Sequence, residues 1–224
     1  MQNKKLAFGM MRLPQLDDNP EHVDLEKTCE MVDAFLQKGY TYFDTSYVYH
    51  NGKSEEFTRR ALVERHPRES FTLATKLPTW AIKSEEDVKR IFAEQLQNCG
   101  VDYFDYYLVH NLNSGFYDNI VTPYHIFEIL SEYKKEGKIK HLGFSVHDAP
   151  EFLERILNEH PEVEFVQIAF NYYDYSAAWV QSKNATILSA ATANWLTLWN
   201  RLKAACSPIR PKRCLNRCRP NAPA

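Results

Sequence analysis

The chain is expected to adopt an α/β fold, an incomplete (β/α)8 TIM barrel of about six βα units, and three features lead there. Short β-branched or aromatic runs alternate with longer amphipathic segments up to Asn171. The alternation recurs roughly every 30 to 40 residues, the period of a βαβ unit. No Gly-x-Gly-x-x-Gly follows the first apolar run. A doubly wound dinucleotide fold would carry that phosphate-binding turn, so the barrel is favoured.

Strands are predicted at LAFGMM from Leu6, TYFDTS from Thr41, FTLATKL from Phe71, FDYYLVH from Phe104, HLGFSV from His141 and FVQIAF from Phe165. Helical periodicity covers residues 25–37, 55–64, 85–97, 123–135 and 150–158. The third helix has the clearest boundaries. Ser84 offers an N-cap hydroxyl, Glu85, Glu86 and Asp87 put negative charge in the first turn, and Gly100 marks the end. Residues 1–183 are assigned to the barrel and 184–224 to a basic, irregular tail.

With 224 residues, 44% hydrophobic and 25% charged, the chain can bury one large core and lacks the composition of a disordered protein. Its apolar runs fall well short of the roughly 20 residues that span a bilayer. The opening MQNKKLAFGMMRLP lacks the apolar stretch of a signal peptide, so a cytosolic protein with no membrane contact is expected. A formal charge of -2 gives no global attraction to nucleic acid, and no such partner is expected. Of the five cysteines, Cys29 and Cys99 fall in predicted helices as buried or half-buried thiols, whereas Cys206, Cys214 and Cys218 crowd into the tail.

In a β/α barrel the loops after the strands build the active site. Asp44 and Tyr49 follow the second predicted strand, Lys76 ends the third, His110 the fourth, and Ser145 with His147 the fifth. Four of these suit the reduction of a carbonyl, which develops negative charge on oxygen and needs a proton donor and a stabilising group. Tyr49 is the natural donor. Lys76 would lower its pKa by favouring the phenolate, Asp44 would keep that ammonium ionised, and His110 would orient the substrate oxygen. Each residue also has a structural role open to it: Asp44 as a turn or cap, Lys76 as a solvated charge, Tyr47 or Tyr49 as core aromatics. A metal-dependent hydrolase built on Asp44, His110 and His147 is a weaker alternative, because paired His-x-His ligands are missing and Lys76 is unexplained.

The segments FDTSYVYHNGKSEE, LATKLP, VDYFDYYLVH, KEGKIKHLGFSVHD and VQIAFNYYD resemble the aldo-keto reductase superfamily in order and spacing, from about Leu6 to Lys183. More narrowly, the chain is similar to a bacterial branch whose full-length members often carry a C-terminal iron-sulfur module. The resemblance implies an eight-stranded β/α barrel, NADP(H) as hydride donor, a small aldehyde or ketone as substrate, and a tetrad mapping onto Asp44, Tyr49, Lys76 and His110. It also implies that Ser145 and Gln167 hold the nicotinamide carboxamide, and no metal. One departure is visible: many members have Asn after that serine, where this chain has Val146 and then His147.

Beyond Lys183 the resemblance stops. No Asp or Glu follows Asp174, while Arg201, Lys203, Arg210, Lys212, Arg213, Arg217 and Arg219 accumulate and three of the four tryptophans appear. Codons read from the third base of each tail codon behave differently. Trp199 followed by Asn200 then requires Glu, and the stretch to Cys206 can spell E-P-V-K-G-G-L. The same frame permits H-D-T-V-R-R-Y-G-Q-L-A-D-V upstream from Ala185 and L-A-D-P-P-E-E-V-L-E downstream. These strings resemble the family's sixth helix and seventh strand. A frame slip near Lys183 or Asn184 is therefore expected, with the tail read out of frame. The tail cysteines lack the Cys-x-x-Cys pairs of zinc or ferredoxin sites. Two outcomes stay open for the chain, a carbonyl reductase or an inactive fragment with at most a binding role.

Overall fold

A computed structural model describes residues 6–169 and the backbone of residues 195–199. Among the described residues seven strands form one sheet: β1 (Ala7–Gly9), β2 (Tyr42–Asp44), β3 (Thr72–Pro78), β4 (Phe104–Leu112), β5 (Ile139–Val146), β6 (Phe165–Ala169) and β7 (Trp195–Trp199). All neighbours are parallel and the order is sequential. A doubly wound sheet reverses its order at a switch point, so this succession is that of an incomplete (β/α)8 barrel. Between the strands lie α1 (Leu25–Gln37), α2 (Ser54–Thr58), α3 (Glu85–Cys99), a single turn α4 (Ser114–Phe116), α5 (Ile126–Lys135) and α6 (Pro150–Glu159).

Local chemistry accounts for the helix ends. Ser84 caps α3 by accepting from the Asp87 N–H, and Gly100 closes it at φ 67°, a left-handed conformation that glycine adopts without strain. Asp24 caps α1 in the same way, through the Lys27 N–H. Two predicted helices are corrected. The second winds into a π-helical turn over Arg59–Val63, and α5 starts at Ile126 rather than near Pro123 because His125 sits at φ 48°. The tail expectation also needs an amendment: Trp195–Trp199, placed in the irregular segment from sequence, pairs in parallel with β6. Phe170, Cys206, Cys214, Cys218 and the basic tail residues lie outside the described residues.

The larger core lies between sheet and helices, where Val88, Ile91, Phe92 and Cys99 of α3 and Phe152, Leu153, Ile156 and Leu157 of α6 supply the buried faces. A smaller cluster of Ala74, Leu108 and Phe165, with Tyr42 and Tyr106 against it, fills the concave side. Contacts between strands two places apart show how strongly the sheet curls: the Tyr42 and Tyr106 rings are 5.0 Å apart, and Tyr106 meets Phe165 at 5.3 Å. Tyr42, Ala74, Leu108, Gly143 and Phe165 each lie two residues before Asp44, Lys76, His110, Ser145 and Gln167. Strand periodicity of two therefore puts the candidate residues on the same concave face, one step nearer the C-terminal mouth.

Gly143 is required by this packing. A Cβ there would meet the Phe165 carbonyl oxygen at 2.5 Å and its ring at 2.6 Å. Gly143→Ala should destabilise the fold by about 1 to 3 kcal/mol, the usual cost of overpacking. A denaturant melt checks this, and an unchanged midpoint would show that β6 can move aside.

Candidate active site

At the C-terminal mouth of the strands a pocket is lined by Tyr49, His110, Ser145, His147, Gln167, Ile168 and Ala169. Lys76 and Asp44 lie behind it. The Lys76 Nζ donates to Asp44 Oδ1 at 2.6 Å and to the Thr45 carbonyl at 2.7 Å, and stands 5.0 Å from the centre of the Tyr49 ring. Desolvation opposes this buried ammonium. Asp44, and then Tyr49, outweigh it and hold the Lys76 pKa above its ordinary value.

Tyr49 departs from expectation in one respect. Its pKa is raised rather than lowered, because burial of the phenol outweighs the pull of Lys76, with Asp44 adding to the rise. The phenol thus enters the site carrying its proton. Tyr47, the other aromatic candidate, donates its hydroxyl to Glu94 Oε2 at 2.9 Å and does not line the pocket.

His110 owes its position to an irregularity in β4. The β4–β5 register runs from Val109 opposite Phe144 to Leu112 opposite Val146, leaving one extra residue on β4 at the site. Asn111 takes up the bulge at φ 58°, a conformation asparagine tolerates better than most residues. Thr79 Oγ1 donates to the His110 carbonyl at 2.9 Å. Burial, reinforced by Lys76 and His147, pushes the imidazole down to about 3, so His110 is neutral at physiological pH. Its Nδ1 lies 3.3 Å from Ser46 Oγ. With that hydroxyl donating to Nδ1, the ring proton sits on Nε2 and is available to a ligand.

A depressed histidine pKa has a definite effect on stability. Between the unfolded value near 6.5 and about 3 the unfolded chain takes up a proton that the native site refuses. Native stability attributable to His110 is full above pH 6.5 and falls as the pH drops through that window. His110→Asn should remove about 1 to 2 kcal/mol of the stability difference between pH 7 and pH 5. Urea melts of both proteins at the two pH values measure it, and parallel slopes would show that His110 is solvated.

Ser145 and Gln167 are both partly engaged, with complementary consequences. Ser145 Oγ accepts from the Asn111 N–H at 2.8 Å, which leaves its hydroxyl proton to donate. Gln167 Nε2 donates to Asp44 Oδ2 at 3.1 Å, leaving its carbonyl oxygen to accept. The two residues are opposite each other in the β5–β6 register. Together they offer one donor and one acceptor, the pattern that matches a carboxamide.

The Aldo/keto reductase family matches residues 5–192. The chain belongs to this family. A probable aldo-keto reductase of Glycine max is 29% identical over 180 residues, covering 75% of this chain and 48% of that one. An aldo-keto reductase of Mycolicibacterium smegmatis is 32% identical over 152 residues, 66% of this chain and 50% of its own. This family member spans about half the length of the curated relatives it matches. Among solved structures, an aldo-keto reductase of Klebsiella pneumoniae in complex with NADPH superposes with a TM-score of 0.70 at 18% identity, covering 88% of this chain and 63% of that one. One from Bacillus halodurans in its holo form gives 0.68 at 22% identity, with coverage of 87% and 61%. Both likenesses show the incomplete barrel fold.

Sequence reasoning missed a second polar group behind β3, made of Glu55, Thr75, Gln95 and Tyr107, all buried. One signal was present. Gln95 interrupts the apolar stripe of α3 formed by Val88, Ile91, Phe92 and Cys99, and a polar residue at a core position needs partners.

Proposed function

We propose that this family member reduces an aldehyde or ketone with hydride from NADPH, Tyr49 serving as general acid. The observation that carries the reading is the convergence of Tyr49 and His110 on one pocket with the buried Lys76–Asp44 pair directly behind the phenol. NADPH supplies the hydride when bound. Ser145 and Gln167 would hold its carboxamide, a role supported by their donor and acceptor polarity. His110 Nε2–H holds the carbonyl oxygen in line with the phenol. As negative charge grows on that oxygen, Tyr49 releases its proton to it, and the Lys76 ammonium stabilises the phenolate left behind. The free thiols Cys29 and Cys99 suit the cytosolic location included in this reading.

Adding NADPH should change the protein's fluorescence, and short aldehydes or ketones should consume the reduced cofactor. Absence of both responses would remove the reading for this chain.

Residues 184–224 are part of the proposal as out-of-frame translation. Support comes from the shifted-frame string E-P-V-K-G-G-L and its neighbours, and from a tail without Asp or Glu. Nucleotide sequencing across codons 175 to 224 and beyond tests it. A continuous shifted frame supports the slip, whereas early stop codons in that frame refute it.

A second reading, an inactive fragment, is favoured by one observation. Among the described residues β1 and β7 each pair on one side only, so the sheet has two open edges. Consumption of NADPH on addition of an aldehyde or ketone separates the two readings, since an inactive fragment can bind the cofactor but not oxidise it.

A further inference from the structure

Behind β3, on the side away from the pocket, Glu55 of α2 accepts from Thr75 Oγ1 at 2.6 Å and from Gln95 Nε2 at 2.7 Å on the same oxygen, while its other oxygen accepts from Asn98 Nδ2 at 3.3 Å. Gln95 Oε1 accepts from the Tyr107 hydroxyl at 2.5 Å. Gln95 Nε2 also lies 3.1 Å from the Lys76 carbonyl oxygen. The Lys76 backbone is thus gripped from the helix side while its ammonium works on the concave side.

We infer that Gln95 is a positioning residue for Lys76, anchored by Glu55 and Tyr107 and acting through the backbone of β3. The inference rests on the reductase reading. Packing alone does not call for this arrangement, since burying a carboxylate and an amide costs more than filling the same volume with apolar side chains. What the polar group adds is direction. Lys76 Nζ reaches Asp44 and the Thr45 carbonyl at 2.6 and 2.7 Å, and a displacement of about 1 Å in such a constellation can cost on the order of 100-fold in rate. Asn98 provides an internal control, because it shares Glu55 with Gln95 but has no bond to Lys76.

The test uses the full chain with Gln95→Met, which keeps volume and removes the amide, beside Asn98→Ala. Turnover, KM for a short aldehyde, NADPH affinity by fluorescence, and backbone amide exchange in residues 72–78 and 139–146 are measured on each. For Gln95→Met the expected result is a kcat lower by roughly 10- to 100-fold, KM and NADPH affinity within about twofold of wild type, and faster exchange in 72–78 but not in 139–146. Asn98→Ala should retain wild-type kcat. An unchanged kcat in Gln95→Met, or an equal fall in both variants, would overturn the inference. If the wild-type chain turns over no carbonyl, the reductase reading fails and the exchange arm decides: unaltered protection of 72–78 in Gln95→Met then overturns the positioning role. Should Gln95→Met not fold, Tyr107→Phe removes the anchor of Gln95 and must show the same kcat and exchange pattern at smaller amplitude, or the inference falls.

Discussion

Replacing Tyr49 with Phe is expected to slow carbonyl reduction by about 100- to 10,000-fold, the range contributed by a positioned proton donor. The ring would keep its place beside Lys76 and edge-on to His110, at 6.3 Å between ring centres, and only the proton would be lost. NADPH affinity should not change, because the groups suited to the carboxamide are Ser145 and Gln167. Burial holds the Tyr49 pKa above its ordinary value near 10, so the acid form persists through neutral pH. The wild-type rate should fall on the alkaline side only as the phenol ionises. Single-turnover measurements across pH check both points. A Phe variant retaining more than about a tenth of the wild-type rate would exclude Tyr49 as the main acid.

Lys76→Met carries the largest expected loss of stability, about 3 to 5 kcal/mol, the cost of breaking a buried ion pair by removing one partner. Lys76 is 1% exposed and Asp44 6%. Without the ammonium the carboxylate keeps the Gln167 amide at 3.1 Å but loses its charge partner. Asp44→Leu added to Lys76→Met should return most of the loss, since burying neither charge avoids both desolvation terms. Denaturant melts of the two single variants and the double variant give the coupling. Additive single effects would mean that water reaches the pair.

What the sequence disclosed and what it withheld divide along sequence separation. The α3 cap and stop are local signals, Ser84 before three acidic residues and Gly100 after the last turn. The strands were visible as apolar runs, and their polar ends gave Asp44, Lys76 and His110 a common mouth once a barrel was assumed. Bonds that depend on curvature were not visible. Gln167 reaches Asp44 across 123 residues, and no local pattern announces that distance. The bulge that aims His110 depends on Asn111 adopting a positive φ, which asparagine permits but does not require. The Tyr49 pKa follows the same division: the lowering pull of Lys76 is legible from spacing, but the depth of burial that outweighs it is not.

The sequential strand order also bears on how such a chain emerges during synthesis. Every group assigned to proton handling lies between Asp44 and Gln167, and each new strand adds beside the one made just before it. A ribosome adds about 5 to 20 residues per second, so strands β2 to β6 are available to one another before β7 has been made. The nascent sheet therefore meets the cell with its charged pair already matched and its concave face already packed, leaving its free edge, rather than an unpaired ammonium, as the feature a chaperone would recognise.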